Sequence, residues 1–289
     1  MTEANSLAAW KAMGQALACG RTTAEQIESI RRYGNHGASP VLRAGLLAAL
    51  GVEKPKDRAE YCLIFGCYRP FTTPFLVRDF VRLLNLLNVD YTYLEQEHCC
   101  GFPFFLTASA GDLGDAKSAS GEFNRLNSDL ARQKGASKLI YCCAGCVHAV
   151  RETLPDETDR HGYMIDLMLD CLENKQLETP PTVIGYFEGC HTFASKSFPS
   201  VKLDWDRYRR RLGEIKGLEI VTIAEGMCCK NSAEKIVDAG LEMNVQKILA
   251  PCSGCYGALS KASQGKAQVI GCAELLMQSL EHTAKLAGK

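Results

Sequence analysis

Cysteine dominates the chemistry available to this chain of 289 residues, which contains 15 cysteines. Ten of them form two sets with the same internal order: a single cysteine, an adjacent pair, then two cysteines separated by two residues. The first set comprises Cys67, Cys99, Cys100, Cys143 and Cys146. The second set comprises Cys190, Cys228, Cys229, Cys252 and Cys255. Because thiolates are soft ligands, five of them together predict a metal or redox centre.

The sequence around the cysteines also repeats. IFGCYRPF in the first half matches YFEGCHTF in the second, and CAGCVHAV matches CSGCYGAL. This self-similarity indicates a duplication. In the alignment of the two halves Cys142 lies opposite Pro251, whereas Cys143 lies opposite Cys252. Of these two adjacent cysteines, Cys143 is therefore the predicted ligand.

The number of thiols in each set separates the possible metal centres. A structural zinc ion takes four ligands, whereas each set offers five and contains an adjacent pair. Adjacent cysteines suit a cluster in which neighbouring metals each take a sulfur. The ferredoxin run C-x2-C-x2-C-x3-C-P does not occur in the sequence, so an ordinary cubane relay is not predicted. An iron–sulfur cluster of another kind is favoured, with zinc as the alternative.

The segments that precede the cysteines are predicted to be strands. They read YCLIFG, YTYLE and KLIY in the first half, and TVIGYF, LEIVTI and KILAP in the second. Helical patterns separate them, which indicates right-handed crossovers and parallel sheets. Ligands of such sheets gather outside the carboxyl ends of the strands, where every cysteine group falls. The predicted fold is α/β, with two duplicated Rossmann-like lobes that carry cysteine clusters at the strand ends.

The first residues have no counterpart in the second half. They predict a helical N-terminal extension over 1–58, followed by a first lobe over 59–178 and a second over 179–289. Short helices are expected at AAWKAMGQALACG, AEQIESIRRYG and VLRAGLLAAL. The last of these is apolar and needs a partner surface. Two interpretations remain open: a docking arm for another subunit, or packing on its own lobe.

Opposite charges balance across the chain, with 33 basic and 33 acidic side chains. Nucleic acid and anionic membranes are therefore not expected partners, because both require a basic surface. The longest apolar run, from Gly45 to Val52, is too short to span a bilayer. The first residues lack a secretory signal pattern, so a cytoplasmic location is expected. Disulfides are not expected in that reducing compartment.

The motif CCGFP at Cys99, together with the two cysteine sets, resembles the cysteine-rich CCG-domain family, and most closely the B-type subunit of heterodisulfide reductase. The resemblance extends from about Tyr61 to Leu280. It implies that each set holds a non-cubane 4Fe-4S cluster, with the ten cysteines as ligands. It also implies that a disulfide substrate is cleaved between the two clusters by paired one-electron steps.

The same resemblance implies flavoprotein and ferredoxin-like subunits as partners. A shorter form of the complex serves sulfur oxidation in bacteria, and this bacterial form is the predicted subclass. The expected substrate is a sulfur compound or disulfide, free or protein-bound.

The second set departs from the family pattern in two ways. Lys230 follows the adjacent pair where the family usually has glycine, and the side chain adds a positive charge. The gap between the pair and the last two cysteines is 22 residues, against 42 in the first set. The second set is therefore the less certain of the two to hold a complete cluster.

These features favour one function and leave two alternatives. The favoured function is an oxidoreductase subunit that reduces or forms a disulfide or related sulfur compound at iron–sulfur clusters. The first alternative is an electron-transfer subunit of a quinone-linked 2-hydroxyacid or glycerol-3-phosphate dehydrogenase. The second is a zinc-binding assembly protein without catalytic activity.

Several other residues carry weaker signals. His98, His148 and His191 adjoin proposed ligands and could donate hydrogen bonds or protons, although packed histidines are the simpler interpretation. Arg69 and Lys230 could meet an anionic substrate, with solvated surface charges as the simpler interpretation. The remaining thiols are predicted to be small buried hydrophobes: Cys19, Cys62, Cys142, Cys171 and Cys272.

Overall fold

The computed structural model describes residues 22–35, 40–67, 69–102, 111–189, 203–227, 229–250 and 252–288, with the backbone alone at 40, 41, 230 and 231. The chain divides into two compact units. The first runs to Arg78 and resumes over Val89–Met164, and the second comprises Asp79–Asn88 and Ile165–Lys289. The predicted boundaries at 58/59 and 178/179 stay a prediction.

The first half of the chain alternates strands with helices. Its strands are β1 (Tyr61–Ile64), β2 (Tyr91–Tyr93), β3 (Lys138–Tyr141) and β4 (His161–Tyr163). Its helices are α1 (Thr23–Tyr33), α2 (Pro40–Ala49), α3 (Arg69–Thr72), α4 (Pro74–Leu86), α5 (Leu113–Gln133) and α6 (Ala144–Thr153), with a 3-10 helix over Pro155–Arg160.

The second half repeats the alternation. Its strands are β5 (Glu178–Tyr186), β6 (Lys216–Thr222), β7 (Lys247–Leu249) and β8 (Gln268–Ile270). Its helices are α7 (Met164–Cys171), α8 (Trp205–Gly213), α9 (Cys229–Glu242), α10 (Ser253–Ser263) and α11 (Cys272–Ala287).

Two parallel four-stranded sheets organise these elements, in the orders β2-β1-β3-β4 and β6-β5-β7-β8. All strand pairs are parallel. The two orders are equivalent, which confirms the predicted α/β fold with duplicated Rossmann-like lobes. The sequence did not predict β4 and β8, because strands were identified from the segments that precede the two cysteine sets, and β4 and β8 precede none of those ten cysteines. The strands that carry cysteines at their ends lie side by side in each sheet.

The described part of the N-terminal extension packs on the first unit. Helix α1 begins with a capping box, in which Thr22 Oγ1 accepts from the N–H of Glu25 and the Glu25 carboxylate accepts from the N–H of Thr22. Ile30 of α1 and Leu47 of α2 are fully buried. Packing on its own lobe is thus the interpretation that these residues support. Among the described helices, none is both long enough and apolar enough to cross a membrane.

Candidate metal centre

The five cysteines of the first set lie together in the first unit. Cys67 Sγ is 3.0 Å from Cys99 Sγ, and Cys100 Sγ is 3.2 Å from Cys146 Sγ. Cys99 also contacts Cys100, and Cys146 contacts Cys143. The five sulfurs therefore form one continuous run of contacts. Cys143 is half-buried and the other four are buried.

Three neighbouring strands deliver these thiols to one edge of the sheet. Cys67 follows β1, the adjacent pair follows β2, and Cys143 follows β3. Cys143 is the N-cap of α6, and Cys146 occupies the third position of that helix. A spacing of two intervening residues therefore places both sulfurs on the first helical turn, where the helix dipole favours thiolates.

Glu97 ties the loop after β1 to the loop after β2. Its carboxylate accepts hydrogen bonds from the backbone N–H of Phe65 at 2.9 Å and of Gly66 at 2.6 Å. It also pairs with Arg43 of α2 at 2.6 Å, and both side chains are almost completely buried. Burial raises the pKa of Glu97 to about 7, although Arg43 opposes the shift. This network holds the cysteines of the two loops next to each other.

Two further contacts fix the segment that carries the adjacent pair. The N–H of Cys99 donates to the carbonyl of Gly34, directly after α1, at 2.6 Å. The side chain of Asn127 on α5 accepts from the N–H of His98 and donates to its carbonyl, at 2.8 and 2.7 Å. The N-terminal helices are thus part of the scaffold of the site.

The second unit brings three cysteines of its set together. Cys252 Sγ is 3.1 Å from Cys255 Sγ, and Cys255 also contacts Cys229. Cys252 is the N-cap of α10, as Cys143 is of α6, so the position at the helix start is repeated. The Cys252 side chain also accepts a hydrogen bond from the N–H of Cys255 at 3.3 Å, a cap bond that the Cys143 side chain does not make. Cys190 and Cys228 lie outside the described residues.

A glycine before the first cysteine of each set closely approaches the helix-start thiols. Gly66 has φ +85° and Gly189 has φ +71°, a region that favours glycine. A Cβ at Gly66 would lie 3.7 Å from Cys146 Sγ, and a Cβ at Gly189 would lie 3.3 Å from Cys255 Sγ. The chain that leads to Cys190 therefore reaches the second site in the same way as the chain that leads to Cys67.

Both departures of the second set have a structural cause. In the first unit Gly101 follows the adjacent pair with φ +78°, and α5 begins later, at Leu113. In the second unit α9 begins at Cys229, so position 230 is helical and does not require glycine. Helix α9 spans 14 residues, with a kink at the non-helical Ser232, and α5 spans 21, and this difference shortens the gap further.

Burial and mutual contact make the clustered thiols hard to ionise. The pKa of Cys99 is raised well above the ordinary thiol value, first by its contact with Cys100 and then by other contacts and burial. The pKa of Cys146 is raised in the same way, first by Cys100. The pKa of Cys255 is also raised, first by Cys229. Several thiolates could coexist here only with a compensating positive charge, which a bound metal supplies.

The donor set of the first unit fits a cluster in type and number. No group of three or more Cys, His, Asp or Glu side chains in the described ranges is arranged for a single metal ion. The closest sulfurs, 3.0 Å apart, are nearer than the roughly 3.8 Å that tetrahedral coordination with bonds of about 2.3 Å would give. The sulfurs must therefore separate to admit metal. Five soft donors are more than one ion needs, and they suit a cluster better.

The weaker candidates have different environments. Arg69 is only 2% exposed, so its interpretation as a solvated surface charge is wrong. Its Nη1 lies 3.4 Å from Met164 Sδ. His148 is buried in α6 with its ring stacked on Phe102, and the half-buried His98 ring stacks on Phe123. His191 and the side chain of Lys230 lie outside the described residues.

Three of the five cysteines left without a role are buried as predicted: Cys62, Cys142 and Cys272. The N–H of Cys142 donates to the carbonyl of Ile64 at 2.9 Å, which extends the strand ladder past β3. Burial raises the pKa of Cys142 to about 12. The prediction is wrong for Cys171, which is half-buried at the end of α7, and Cys19 lies outside the described residues.

Sequence reasoning missed the residues that support the cysteines. Arg43 and Glu97 are separated by 54 positions, and no local pattern links them. A signal did exist in α5, where fully buried Ser120, Asn124 and Asn127 recur at helical spacing. Ser120 Oγ donates to the carbonyl of Cys100 at 2.6 Å. A row of polar side chains on a buried helix face therefore indicates that the helix forms hydrogen bonds to a neighbouring loop.

Known proteins share parts of this sequence. Residues 61–151 match the family model CCG, described as a cysteine-rich domain. The chain is 29% identical over 238 residues to the D-type subunit of the dihydromethanophenazine:CoB–CoM heterodisulfide reductase of Methanosarcina barkeri, a match that covers 72% of this chain and 55% of that protein. The predicted family resemblance is confirmed, although this relative is of the D type and not of the B type. The bacterial sulfur-oxidising subclass stays a prediction.

Two further relatives have different descriptions. The C-type subunit of the anaerobic glycerol-3-phosphate dehydrogenase of Escherichia coli is 23% identical, with 63% of this chain and 46% of that protein covered. An uncharacterized iron-sulfur protein of Methanocaldococcus jannaschii is 24% identical, in a match that covers 69% of this chain and 40% of that protein. The chain thus spans between 35% and 55% of the lengths of these and related proteins.

Proposed function

With residues 61–151 matching the cysteine-rich CCG domain, we propose that this chain is an iron–sulfur subunit of a heterodisulfide reductase-like oxidoreductase. It moves electrons to or from a disulfide or related sulfur compound. Two non-cubane 4Fe-4S clusters are proposed, one for each cysteine set. The ligands of the first are Cys67, Cys99, Cys100, Cys143 and Cys146. The ligands of the second are Cys190, Cys228, Cys229, Cys252 and Cys255.

One observation carries this proposal: the five sulfurs of the first set form a single run of contacts, although they come from three separate strand ends. A chain gains nothing from burying five thiols together as such, because each isolated thiol packs equally well as a small hydrophobe. Convergence of soft donors is the arrangement that a metal–sulfur cluster requires.

The second cluster is supported by the partial repeat of that arrangement. Cys229, Cys252 and Cys255 are in contact, and Gly189 brings the preceding chain to within 3.3 Å of Cys255 Sγ, measured from the Cβ that a side chain there would have. The helical position of residue 230 offers a reason for the missing glycine that does not exclude a cluster. The duplication of the sheet supports equivalent ligands from Cys190 and Cys228.

A bound cluster would accept and release single electrons. The residues of this chain supply the surroundings of that chemistry. Helix starts at Cys143 and Cys252 favour ionised sulfur. Burial excludes water from four of the first five thiols. The buried guanidinium of Arg69, two residues after Cys67, adds a fixed positive charge nearby.

Flavoprotein and ferredoxin-like subunits are the proposed partners, and a cytoplasmic location is part of the same proposal. A relative described as part of a heterodisulfide reductase supports a multi-subunit setting. The 15 cysteines of the chain, ten of which are proposed as metal ligands, are consistent with a compartment that keeps thiols reduced.

The second candidate function is electron transfer within a dehydrogenase, favoured by the similarity to a component of glycerol-3-phosphate dehydrogenase. In that case the chain would pass electrons on without meeting a sulfur substrate. Glycerol 3-phosphate would then reduce the clusters in the purified complex, whereas a disulfide would not oxidise them.

Metal analysis tests the proposal directly. Anaerobically purified protein is expected to be brown, with iron and acid-labile sulfide each at about four per site. Cys99→Ala and Cys143→Ala are each expected to abolish the electron paramagnetic resonance signal of the first cluster. Cys142→Ala is the matched control, because this buried neighbour of Cys143 belongs to the strand ladder, and its variant should keep the signal. A colourless protein with stoichiometric zinc would refute the redox proposal.

A further inference from the structure

A tyrosine and a histidine of the first unit form a polar pair inside its core. Tyr141 ends β3, two positions before Cys143, and His161 begins β4, the neighbouring strand. The Tyr141 hydroxyl oxygen lies 3.1 Å from His161 Nδ1, within hydrogen-bond distance. Both side chains are almost completely buried. Apolar side chains of the same shape would stabilise the sheet about equally well, so the pair is a candidate for a chemical role.

The outer end of this pair meets Glu157. His161 Nε2 is buried and makes no hydrogen bond within the part of the chain that the structure describes. It lies 3.8 Å from Glu157 Oε2, and a movement of about 1 Å would bring the two atoms into hydrogen-bond distance. The Glu157 side chain is 23% exposed, so it can take up protons from solvent. Because the pKa of Glu157 is about 2 and that of His161 about 4, a proton taken up by the carboxylate passes readily to the ring.

The inner end of the pair lies near the first cysteine site. The pKa of Tyr141 is raised well above its ordinary value, first by burial and then by the thiols of Cys146 and Cys100. Those two sulfurs are in contact at 3.2 Å, and both thiols are buried. Protons bound for these sulfurs must cross the protein interior, and Tyr141 places a hydroxyl there.

The surroundings of His161 keep its ring neutral. Burial is the main cause that lowers its pKa to about 4, and Glu157 opposes the shift. Arg160 of the 3-10 helix, Arg151 of α6 and Arg132 of α5 lower the pKa further. A neutral imidazole has one N–H donor and one acceptor nitrogen, so it can receive a proton on one side while it releases one on the other. At pH 7 the ring is thus in the state that a proton relay requires.

The second unit has no such pair at the equivalent positions, all of which are described. Ala250, two positions before Cys252, stands where the first unit has Tyr141. Strand β8 begins with Gln268, which is exposed and donates to Glu274 at 3.3 Å, whereas β4 begins with the buried His161. The buried pair is therefore not a requirement of the duplicated sheet, and it belongs to the first site.

We propose that Glu157, His161 and Tyr141 form a proton relay between solvent and the first cysteine site. The carboxylate passes a proton from solvent to His161 Nε2, while Nδ1 releases one to the Tyr141 oxygen and the hydroxyl releases its own towards the site. Each group gives up one proton as it receives another, so none of the three changes its net charge over a complete transfer.

The reaction that uses these protons rests on the proposed function. Reduction of a disulfide breaks the S–S bond, consumes two electrons and two protons, and yields two thiols. The electrons come from the proposed ferredoxin-like partner, and the protons arrive through the relay. In the reverse direction two thiols lose two electrons and two protons, and the protons leave by the same route.

Disulfide reduction by the cluster-loaded full chain tests the relay, with bis(2-hydroxyethyl) disulfide as the probe and reduced methyl viologen as the electron donor. Tyr141→Phe removes the hydroxyl and keeps the ring, and His161→Gln keeps a polar side chain that cannot relay a proton. Each is expected to lower kcat roughly tenfold to a hundredfold. The unaltered protein should turn over at a nearly constant rate from pH 6 to pH 8. The variants should slow as the pH rises, because their protons must come directly from bulk water.

Controls separate proton transfer from assembly of the site. Iron content and the electron paramagnetic resonance signal of the first cluster should be unchanged in both variants, and loss of that signal in both would show a structural role and overturn the relay. His282→Gln, which changes a histidine of α11 in the second unit, should keep the full rate. Variants with the rate and pH profile of the unaltered protein would overturn the relay and leave the proposed function intact. A full chain without iron, or one that does not reduce the probe, would overturn both.

A second measurement does not depend on turnover. In the metal-free full chain with isotope-labelled histidine rings, nuclear magnetic resonance signals of His161 are assigned with His161→Gln. They are expected to be those of a neutral ring at pH 7. Tyr141→Phe should shift the Nδ1 signal of His161 and leave the signals of His282 in place. An unshifted Nδ1 signal, or a charged His161 ring at pH 7, would overturn the relay.

Discussion

Glu97 and Arg43 form a buried ion pair that positions the loop before Cys67 more than it stabilises the folded chain. Each has a side chain that is 2% or 3% exposed, and the carboxylate also holds two backbone N–H groups of the loop before Cys67. A buried pair of this kind contributes little compared with apolar side chains of the same size. Removing one partner is costly, because the remaining charge has no compensation in a medium of low polarity.

Glu97→Gln is therefore expected to lower the free energy of unfolding by about 3–5 kcal/mol and to weaken the first cluster signal. Urea denaturation measures the first effect. Arg31→Gln is the control, because Arg31 pairs with Glu122 at the surface, where such pairs contribute little. The double variant Arg43→Met/Glu97→Gln should recover part of the loss. A change below about 1 kcal/mol in Glu97→Gln would show that the pair is not a constraint.

Gly145 and Gly254 occupy equivalent positions with opposite steric surroundings. Gly145→Ala forces Phe102 to move and is expected to cost about 1–3 kcal/mol. Gly254→Ala meets no close atom and is expected to stabilise α10 by up to about 1 kcal/mol through helix propensity. Thermal unfolding of both variants, and of Gly145→Ala on a Phe102→Ala background, checks the cause. An unchanged cost on that background would rule out the clash with Phe102.

At the scale of elements, the 3-10 helix over Pro155–Arg160 joins α5 to β4 through Glu157. Its carboxylate pairs with Arg132 at 2.7 Å and Arg160 at 3.1 Å, and it accepts from Ser128 at 2.7 Å. His161 lies 3.8 Å from the same carboxylate. Burial raises the pKa of Glu157, but the hydrogen bonds from Arg132 and Ser128 outweigh it and lower the pKa to about 2.

This low pKa gives the junction a defined acid sensitivity. The unfolded carboxyl titrates near 4.5 and the folded one near 2, so the stabilisation is complete above pH 4.5 and is lost as the pH falls towards 2. The stability difference between the protein and Glu157→Gln should therefore be constant from pH 7 to pH 5 and shrink below it. Urea titrations at pH 7, 5 and 3 measure this, and a difference that persists unchanged at pH 3 would contradict the assignment.

Burial lowers the pKa of His161 to about 4, so this histidine is neutral in the folded protein at pH 7. The stability that neutral His161 contributes is lost as the pH falls from 6.5 through 4, because the unfolded histidine takes up its proton first. This pH range lies above the range in which Glu157 titrates. Both variants compared at Glu157 keep His161. Because Glu157 raises the pKa of His161 against the effect of burial, the histidine should stay neutral to a still lower pH in Glu157→Gln. The two proteins should therefore share the slope that begins near pH 6.5, where the unfolded histidine titrates, and diverge as the pH approaches 4.

On the scale of the whole molecule, the compact units do not follow the chain order of the duplication. Asp79–Asn88, which includes most of α4, belongs to the second unit, although it follows β1 in sequence. Phe80, Leu83 and Leu84 in this segment are fully buried. A lobe cut at 178/179 would therefore lose apolar packing that belongs to its unit.

A fragment of residues 179–289 lacks both Asp79–Asn88 and residues 165–178 of its unit. It is accordingly expected to show no sharp thermal transition and to bind a hydrophobic dye, because the loss of large buried side chains from both segments costs several kcal/mol. The intact chain should melt cooperatively. Differential scanning calorimetry measures the thermal transitions of the fragment and of the intact chain. Cooperative melting of the fragment at the temperature of the intact chain would instead support the sequence-based boundary.

Local patterns in the sequence were sufficient to predict the duplicated α/β architecture and the two sets of five cysteines. The strand that ends before Cys67 and the strand KLIY before Cys143 are short apolar runs, and the helix from Pro74 has an apolar face at helical spacing. Parallel strands align their carboxyl ends, so cysteines after neighbouring strands meet at one edge. The choice of Cys143 over Cys142 followed from the repeat alone.

Only the tertiary structure decided which sulfurs are in contact and which residues hold them in place. The Glu97–Arg43 pair and the Gly34–Cys99 hydrogen bond link residues more than 50 positions apart. Phe102 covers Gly145 only because α6 folds back against the loop after β2. Such contacts depend on how helices pack around a sheet. Because the free energy of packing is distributed over many side chains, no short sequence motif predicts it.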